Sequence, residues 1–428
     1  MAEKRSILFL QGPPSVFWSE LADAFEAEGH RTHRIHVCPA DRLFWRRKGA
    51  VNYRGRFEDW GTYLADFLRA EGVTDIVYYA DQQAYHRVAA QVARGMNINA
   101  VAIEFGYLRP DWLTVERNGM GVYSHFPNDP ARIRAIAADA PTPDLAVRFP
   151  YSFVAEAVAE VTYNLANVFL KPFYPHFNAD KYYHPFVDYL SWVPRTVRQR
   201  KAQRDAVGVI ADCKAGKWPF FMLAMQLQSD YQIRRNSHYG HLSGMLDEVI
   251  GSFARNAPSD ARLVAKLHPL DNGRENWPRV LRETAARYGL EDRLLTIDGG
   301  DVADILPHAR GCILVNSTVG LYAIRARCPT KVLGIAVFDI PGLTHQGTLD
   351  QFWVAPEPVD AALAEDFVKA LAATIQVKGS FYDPAGRKVA QTEIVRRIAQ
   401  GLVNEPGAFV SPPPRIEKAR IAGVPLDA

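Results

Sequence analysis

The chain has 428 residues, of which 48% are apolar and 23% charged, and its formal net charge at neutral pH is +3. This length predicts more than one hydrophobic core, and the composition is typical of a globular protein. The small net charge gives no indication of a nucleic-acid partner, and no apolar run approaches the roughly 20 residues that span a bilayer. The four cysteines contain no CxxC pair, so no zinc site or disulfide framework is expected. Without a recognisable signal peptide, the sequence predicts a cytoplasmic protein.

The first third of the chain alternates between short apolar runs and segments with helical apolar spacing. Strands are predicted at 6–10, 34–37, 75–79 and 100–103, and helices at 15–28, 59–70 and 84–93. Strands separated by helices of this length indicate parallel βαβ units. From residue 127 to residue 204 the pattern is helical and rich in aromatic residues, without a clear strand.

A second alternating series begins near residue 207. Strands are predicted at 220–227, 262–267, 294–297, 312–315 and 331–333, and helices at 242–254, 277–288, 302–308 and 319–326. Two successive series predict an α/β protein with two Rossmann-like domains that face each other across a cleft. We expect an N-terminal domain over 1–190, a C-terminal domain over 205–375, a helical segment over 376–403 and a loosely ordered tail over 404–428. No GxGxxG or GxxxxGK[ST] motif is present, which argues against a dinucleotide enzyme and a P-loop NTPase.

Two basic clusters stand out against the small net charge. Residues 42–48 hold four cations and two aromatic residues, and residues 195–204 hold five cations and no acid. A solvated charged face is the commoner explanation of such runs. Contact with anionic lipid headgroups is the alternative, worth about 1 kcal/mol for each cation near the membrane. The aromatic residues favour this alternative for the first cluster.

Polar residues follow four of the predicted strands, at the carboxyl ends where ligands bind in open parallel sheets. They are Glu104, Arg109 and Asp111; Gln226 and Asp230; Lys266, His268 and Pro269; and Asn316, Ser317, Thr318 and Gly320. The last group precedes a predicted helix, where free backbone N–H groups and two hydroxyls would suit a phosphate. Simpler explanations exist for single residues: Ser317 or Thr318 as a helix cap, His268 as a hydrogen-bonded loop residue, and Asp230 as a cap or surface carboxylate.

Eight short segments carry a resemblance to a known family. The segments are 9–13, 41–45, 53–55, 106–112, 226–233, 267–269, 316–320 and 339–347. In this order along the chain they resemble the capsule polysaccharide biosynthesis and export family, in particular its KpsS-type members. The resemblance implies a GT-B-like fold and transfer of the acidic sugar Kdo from CMP-β-Kdo to a (lyso)phosphatidylglycerol-type lipid, which starts the linker for capsular polysaccharide export. It also implies a location at the inner membrane and no cofactor beyond the sugar donor.

The resemblance implies roles for individual residues as well. Asp230 falls on the aspartate of a Q-x-x-x-D-x-x-I motif and would be the nucleophile of a retaining mechanism. His268 and Pro269 fall on the family's HP motif, and Ser317 with Thr318 on its nucleotide-binding motif, so that these residues would hold the phosphate of the leaving CMP.

The acceptor base is predicted to be Glu104 or Asp111. The chain departs from the family pattern here, because Phe105 follows Glu104 where a second glutamate is expected. The resemblance therefore implies no acidic role at position 105.

Two other functions are consistent with the same residues. A GT-B enzyme or epimerase that uses a UDP-sugar would share the fold and the phosphate-binding turn, and tighter binding of UMP or UDP than of CMP would favour it. A non-catalytic adaptor that binds other capsule synthesis or export proteins is the third possibility, but an adaptor has no need of a nucleophile beside a phosphate site. No DxD motif marks a metal, and no nucleic-acid partner is expected.

Overall fold

Residues 4–150 and 152–426 are described by the computed structural model, except for the side chains of residues 193, 194 and 196–200. The chain forms two units. The first contains the described residues up to Pro127, residues 136–180 and residues 368–414, and the second contains residues 128–135, residues 181–367 and the described residues from Arg415 on. Both units are α/β, which confirms the predicted fold class. No helix in the described part of the chain is long and apolar enough to cross a membrane.

The strands and helices alternate through most of the chain. The strands are β1 (Ser6–Phe9), β2 (Arg31–His36), β3 (Val51–Asn52), β4 (Asp75–Tyr79), β5 (Asn99–Phe105), β6 (Trp112–Arg117), β7 (Phe220–Ala224), β8 (Arg262–Lys266), β9 (Leu294–Ile297), β10 (Gly311–Leu314), β11 (Thr330–Val332) and β12 (Gln376–Lys378). The helices are α1 (Phe17–Ala27), α2 (Asp41–Phe44), α3 (Trp60–Glu71), α4 (Ala84–Gly95), α5 (Pro130–Ala138), α6 (Phe153–Phe169), α7 (Pro185–Lys214), α8 (Tyr231–Arg235), α9 (Leu242–Asn256), α10 (Trp277–Arg287), α11 (Val302–Ile305), α12 (Val319–Arg325), α13 (Leu349–Val354), α14 (Ala361–Thr374), α15 (Pro384–Ala399) and α16 (Ile416–Ile421).

The first unit is built on a seven-stranded sheet in the order β12-β6-β5-β4-β1-β2-β3. Strands β1 to β5 are parallel to one another, whereas β6 and β12 are antiparallel to their neighbours. Successive residues of β1 enter opposite cores: Ile7 and Phe9 pack with α1 and α15, and Leu8 packs with α3 and α4. Because both faces are covered, the central strands are continuous apolar runs in the sequence.

The C-terminal part of the first unit departs from the predicted domain boundaries. Residues 368–414 belong to this unit rather than to a domain that ends at residue 375 and a separate helical segment. In β12, Val377 lies opposite Leu113 of β6. Asn404 is buried, and its Oδ1 accepts a hydrogen bond from the backbone N–H of Arg117 at 2.8 Å. The sequence offers no local signal for these contacts, because each joins residues that are more than 200 positions apart.

The second unit contains a five-stranded, fully parallel sheet in the order β11-β10-β7-β8-β9. Apolar residues of α9, α10 and α13 share one core with inward-facing residues of this sheet. At its centre, the ring of Trp353 meets the rings of Phe221 and Phe253 edge to face at 5.0 and 5.1 Å. Such aromatic contacts combine a large buried area with a preferred geometry.

Residues 415–426 pack in the second unit, in contrast to the predicted loosely ordered tail. The guanidinium of buried Arg415 donates to the carbonyl oxygens of Ala336 and Val337 at 3.2 and 2.6 Å. Lys418 forms an ion pair with the buried carboxylate of Asp339. The segment therefore satisfies polar groups of the loop after β11 that would otherwise be buried without partners.

Candidate functional site

A hydrogen-bond network joins the carboxyl ends of β7 and β10, which are neighbours in the second sheet. The side-chain amide of Gln226 donates to Asn316 Oδ1 at 2.9 Å, and the backbone N–H of Asn316 donates to Gln226 Oε1 at 3.0 Å. Asn316 Nδ2 in turn donates to the carbonyl oxygen of Gln232 in α8 at 2.9 Å. The network holds the turn that begins at Asn316 against helix α8.

Asp230 is the N-cap residue of α8. Its Oδ1 accepts a hydrogen bond from the backbone N–H of Gln232 at 2.9 Å, which is the usual interaction of an aspartate cap. The structure therefore shows the capping role that the sequence allowed. The nucleophilic role stays a prediction. The network orients Asp230, because the carbonyl oxygen of Gln232 also accepts the hydrogen bond from Asn316 Nδ2.

Lys266, the last residue of β8, is a mostly buried lysine without an ion pair among the described residues. The residue is only 5% exposed, and among the described residues its side chain has no hydrogen bond or ion pair. Burial lowers the pKa of Lys266, an effect that Asp298 and Asp301 oppose. An unpaired buried cation costs free energy, which an anionic ligand would recover by acting as its counter-ion.

The nearby carboxylate of Asp298 is occupied by another cation, Arg195 of α7. Arg195 Nη2 donates to Asp298 Oδ1 at 2.7 Å, and its Nε donates to the carbonyl oxygen of Asp271 at 2.8 Å. Arg195 is buried, so the interpretation of residues 195–204 as a solvated basic face is wrong for Arg195. Residues 196–200 lie among the undescribed side chains, and Lys201 and Arg204 are exposed.

His268 lies two residues beyond Lys266 and is half-buried, whereas Pro269 is exposed. His268 Nδ1 accepts a hydrogen bond from the backbone N–H of Leu270 at 3.1 Å. A neutral imidazole with this contact carries its proton on Nε2, which makes Nε2 a hydrogen-bond donor.

In the turn from Ser317 to Gly320, the groups available to a phosphate are side-chain hydroxyls rather than the dipole of a long helix. Ser317 Oγ accepts a hydrogen bond from the backbone N–H of Val319 at 3.2 Å. Thr318 is the N-cap residue of α12, but its side chain makes no capping bond, and the helix has only seven residues. Gly320 has a packing role, because a Cβ atom there would lie 2.4 Å from the ring of Phe338.

In the first unit, Asp111 has a structural environment. It is 1% exposed; its Oδ1 accepts from Lys378 Nζ at 2.8 Å, and its Oδ2 accepts from the backbone N–H groups of Arg148 and Phe149 at 2.6 and 3.2 Å. Both oxygens are therefore occupied. Asp111 is positioned to hold β12 and the segment near residue 148 in place and is a poor choice for an acceptor base.

Glu104 and Arg109 are more accessible than Asp111. Glu104 is half-buried in β5, opposite Thr114 of β6, and Arg109 is exposed with its guanidinium 5.3 Å from the ring centre of Phe105. The loop between them is held by buried Gln376 of β12, whose Oε1 accepts from the backbone N–H of Tyr107 at 2.8 Å. No sequence signal near residue 104 identifies Gln376 as a neighbour.

The sequence also missed a buried ion pair after β2. Arg34 Nη2 lies 3.0 Å from Asp41 Oδ1, and Asp41 Oδ2 accepts from the backbone N–H of Val37 at 2.9 Å. Burial and the charge of Arg34 lower the pKa of His36 to about 3. Asp41 lies in one of the segments that carry the family resemblance, which was the available signal.

The basic cluster at 42–48 is only partly a surface feature. Trp45 is 6% exposed and packs 5.9 Å from the ring centre of Phe9. Arg47 is paired with the carboxylates of Asp23 and Glu26. Buried Trp45 therefore gives no support to the lipid-contact alternative for this cluster. Arg42, Arg46 and Lys48 are exposed. No group of His, Cys, Asp and Glu side chains suited to a metal ion occurs in the described part of the chain.

The two α/β units belong to a known class of protein. The family described as "Capsule polysaccharide biosynthesis protein" matches residues 74–382. The chain is 30% identical over 381 residues to the capsule polysaccharide export protein KpsS of Escherichia coli, with 88% of this chain and 97% of that protein covered. The chain therefore belongs to the capsule polysaccharide biosynthesis family, which confirms the resemblance seen in the sequence.

Other similar proteins include the capsule polysaccharide modification protein LipB of Neisseria meningitidis serogroup A, which is 28% identical over 392 residues, with 88% of this chain and 91% of LipB covered. Among solved structures, the β-Kdo 2,7 transferase KpsC of Thermosulfurimonas dismutans matches with a TM-score of 0.43 and 14% identity, covering 92% of this chain and 98% of that chain. A UDP complex of MnaA from S. aureus matches with a TM-score of 0.32 and 12% identity over 94% of this chain and 98% of that chain.

Proposed function

We propose that the chain is a glycosyltransferase of capsule synthesis that transfers β-Kdo from CMP-β-Kdo, with retention, to a (lyso)phosphatidylglycerol-type lipid. The observation that carries this proposal is Lys266, a lysine that is only 5% exposed and has no ion pair with the described residues, at the carboxyl edge of a parallel sheet. CMP-Kdo carries a phosphodiester and a carboxylate, so it brings the negative charge that Lys266 lacks. Membership of the capsule family supports the assignment to capsule synthesis.

In this proposal the donor's phosphate is held by groups from the ends of two strands, β8 and β10, which lie on either side of β7. Lys266 supplies the counter-charge, His268 donates from Nε2, and the hydroxyl groups of Ser317 and Thr318 donate from the turn after β10. Charge-assisted hydrogen bonds of this kind are roughly twice as strong as neutral ones. They would stabilise CMP as it leaves, because its phosphate gains charge in the transition state. No metal or other cofactor is required by this set of donors.

Asp230 is the proposed nucleophile. Its carboxylate attacks the anomeric carbon while the bond from that carbon to the phosphate oxygen of CMP breaks, which leaves a glycosyl ester on the enzyme. A hydroxyl group of the lipid then displaces the aspartate, and its proton passes to a base. Two inversions give net retention. Glu104 remains the proposed base, since both oxygens of Asp111 are occupied.

The direct test is incubation of the full chain with CMP-Kdo and a fluorescent lysophosphatidylglycerol, with the product read by mass. The expected result is one Kdo added to the lipid and CMP released in equal amount. The proposal would be overturned if a UDP-sugar were consumed and CMP-Kdo were not, or if UDP protected the protein against thermal unfolding better than CMP. Binding of CMP-Kdo without any turnover would favour the adaptor function instead.

A further inference from the structure

The loop from Arg42 to Arg56 is strongly basic. It contains six cations and no acid. Arg47 is neutralised by its ion pairs, but the other five are exposed and form no ion pair with the described residues. On either side, the first acids are Asp41, which is buried and paired with Arg34, and Glu58, which is exposed. The loop therefore presents an unbalanced positive charge to solvent.

An exposed apolar segment follows the end of α6. Phe169 and Phe173 are 66% and 62% exposed, and Leu170 between them is also exposed. None of the 17 residues of α6 is fully buried. Large apolar side chains that cluster on a surface generally mark an interaction site. Within this segment, Lys171 adds another exposed cation without an ion pair among the described residues.

Contacts on both sides of this segment place it beside the basic loop. Asn167 Oδ1 accepts a hydrogen bond from the backbone N–H of Ala40 at 3.0 Å. After the segment, the hydroxyl of Tyr174 donates to Asn52 Oδ1 at 2.6 Å, and Arg54 lies 5.5 Å from the centre of the Tyr174 ring. Residues 169–173 are therefore held between a contact to Ala40, two residues before the loop, and contacts to the loop itself, whose own apolar residues Leu43 and Val51 are exposed as well.

We propose that these residues form a docking surface for an anionic lipid bilayer. This cationic apolar patch consists of the apolar residues Leu43, Val51, Phe169, Leu170 and Phe173 and the cations Arg42, Arg46, Lys48, Arg54 and Lys171. Apolar side chains enter the boundary between headgroups and acyl chains, and the surrounding cations lie at the level of the lipid phosphates.

The composition of the patch selects a membrane over other partners. A nucleic acid would use the cations but has no site for the aliphatic side chains Leu43, Val51 and Leu170. A protein interface usually excludes lysine from its apolar centre, whereas here the cations and apolar residues are mixed. The proposal stands apart from the transferase proposal, since it concerns where the protein binds and not what it transfers.

The test is flotation of the full chain with vesicles of phosphatidylcholine alone or mixed with phosphatidylglycerol. Binding is expected only to the mixed vesicles and is expected to fall as salt rises, because the Debye length shrinks from about 10 Å at 0.1 M to about 3 Å at 1 M. Each cation near an anionic surface contributes about fivefold to the partition constant. The triple variant Arg42→Glu, Arg46→Glu and Lys48→Glu should therefore lose on the order of a hundredfold or more.

The apolar part is tested by the double variant Phe169→Ser and Phe173→Ser, which should lower binding at least tenfold. A matched control is Lys388→Glu with Val389→Ser, an exposed cation and apolar residue of α15 outside the patch. This control should bind as the wild type does. Turnover with a short-chain, water-soluble acceptor should be unchanged in all three variants, so a failure of the membrane proposal is distinguishable from a failure of the transferase proposal.

Three outcomes would overturn the proposal. One is equal vesicle binding by the wild type and both patch variants. Another is equal binding to phosphatidylcholine and to mixed vesicles, without salt dependence. The third is a wild-type dimer that the Phe169→Ser and Phe173→Ser variant converts to a monomer with vesicle binding unchanged, which would make the patch an interface between two copies of the chain. Unchanged melting temperatures confirm that the variants are folded.

Discussion

Replacement of Lys266 by methionine should make the protein more stable and weaken its binding to CMP. Lysine and methionine are both unbranched, so the change removes the ammonium while it largely keeps the shape of the side chain. A residue that serves only the fold would not behave in this way, because its removal would cost stability. The combination of gained stability and lost affinity is the expected signature of a charge kept for a ligand.

Both effects can be estimated from the contacts of Lys266. A buried polar group without a partner costs about 1–3 kcal/mol in mutational data. The variant should therefore melt about 2–12 °C higher, given about 2–4 °C per kcal/mol for a domain of this size. A hydrogen bond to a charged group contributes about 1.5–3 kcal/mol, so the affinity for CMP should fall roughly 10- to 150-fold.

The assay is calorimetric titration with CMP together with thermal denaturation, and the control is Lys217→Met. Lys217 is exposed and paired with Asp212 at 2.8 Å, so its replacement should change stability by less than about 0.5 kcal/mol and leave CMP binding unchanged. A destabilised Lys266→Met protein that binds CMP as the wild type does would refute the reasoning, since Lys266 would then be a structural residue.

The pH dependence of CMP affinity and of stability provides a second test of the role of Lys266. Burial lowers the pKa of Lys266 in the folded protein, so the ammonium loses its proton at a lower pH than an ordinary lysine does. CMP affinity of the wild type should accordingly fall as the pH rises through that lowered pKa. Over the same range the unfolded chain binds more protons than the folded one, so the stability contribution of this residue rises with pH. The Lys266→Met variant should show neither trend.

Three further predictions concern the nucleophile, the structural carboxylate and the buried histidines. Asp230→Asn keeps capping ability and should bind CMP normally, but its turnover should fall by orders of magnitude. A turnover above roughly a tenth of the wild-type value corresponds to a barrier change below about 1.4 kcal/mol and would exclude the nucleophilic role. Asp111→Ala leaves Lys378 without its carboxylate and should lower stability by about 3–5 kcal/mol in thermal denaturation, whereas an unchanged melting temperature would contradict the structural role. Burial lowers the pKa of His36 to about 3 and that of His86 to about 4. At about pH 5, protonation of these histidines in the unfolded chain should therefore lower stability by about 2 kcal/mol for each one relative to about pH 8. His86→Gln should remove the contribution of one histidine, and a wild-type melting temperature that is equal at both pH values would contradict the prediction.

Most of the parallel strands were predictable because they contain an apolar run followed by a turn, whereas the two-residue strand β3 was not predicted. The prediction of β9 at 294–297 matches the structure, and those of β8 and β10 differ by one residue at their ends. The strand predicted at 220–227 is too long, because after Ala224 the chain leaves the sheet and Gln226 bonds instead to Asn316. Hydrophobic periodicity predicts where a strand is buried but not where its ladder stops.

The residues that hold the candidate site together were less predictable. Gln376, which holds the loop after Glu104, is distant in sequence and polar like many surface residues. Asp298, whose charge acts on Lys266, is paired with Arg195, and that pairing joins residues 103 positions apart. The residue types of a site can be recognised in one sequence segment, but the partners that each side chain finds depend on how the whole chain folds.

The return of residues 368–414 to the first unit has a consequence for how the protein is made. The first unit begins the chain, yet it lacks β12 and α15 until nearly the whole chain has left the ribosome. At about 5–20 residues per second, synthesis of the intervening residues 181–367 takes roughly 10–40 s. During that time the face of the sheet that carries Ile7 and Phe9 has only part of its cover. Nascent chains should therefore be prone to aggregation, and a truncation before residue 368 should yield insoluble protein.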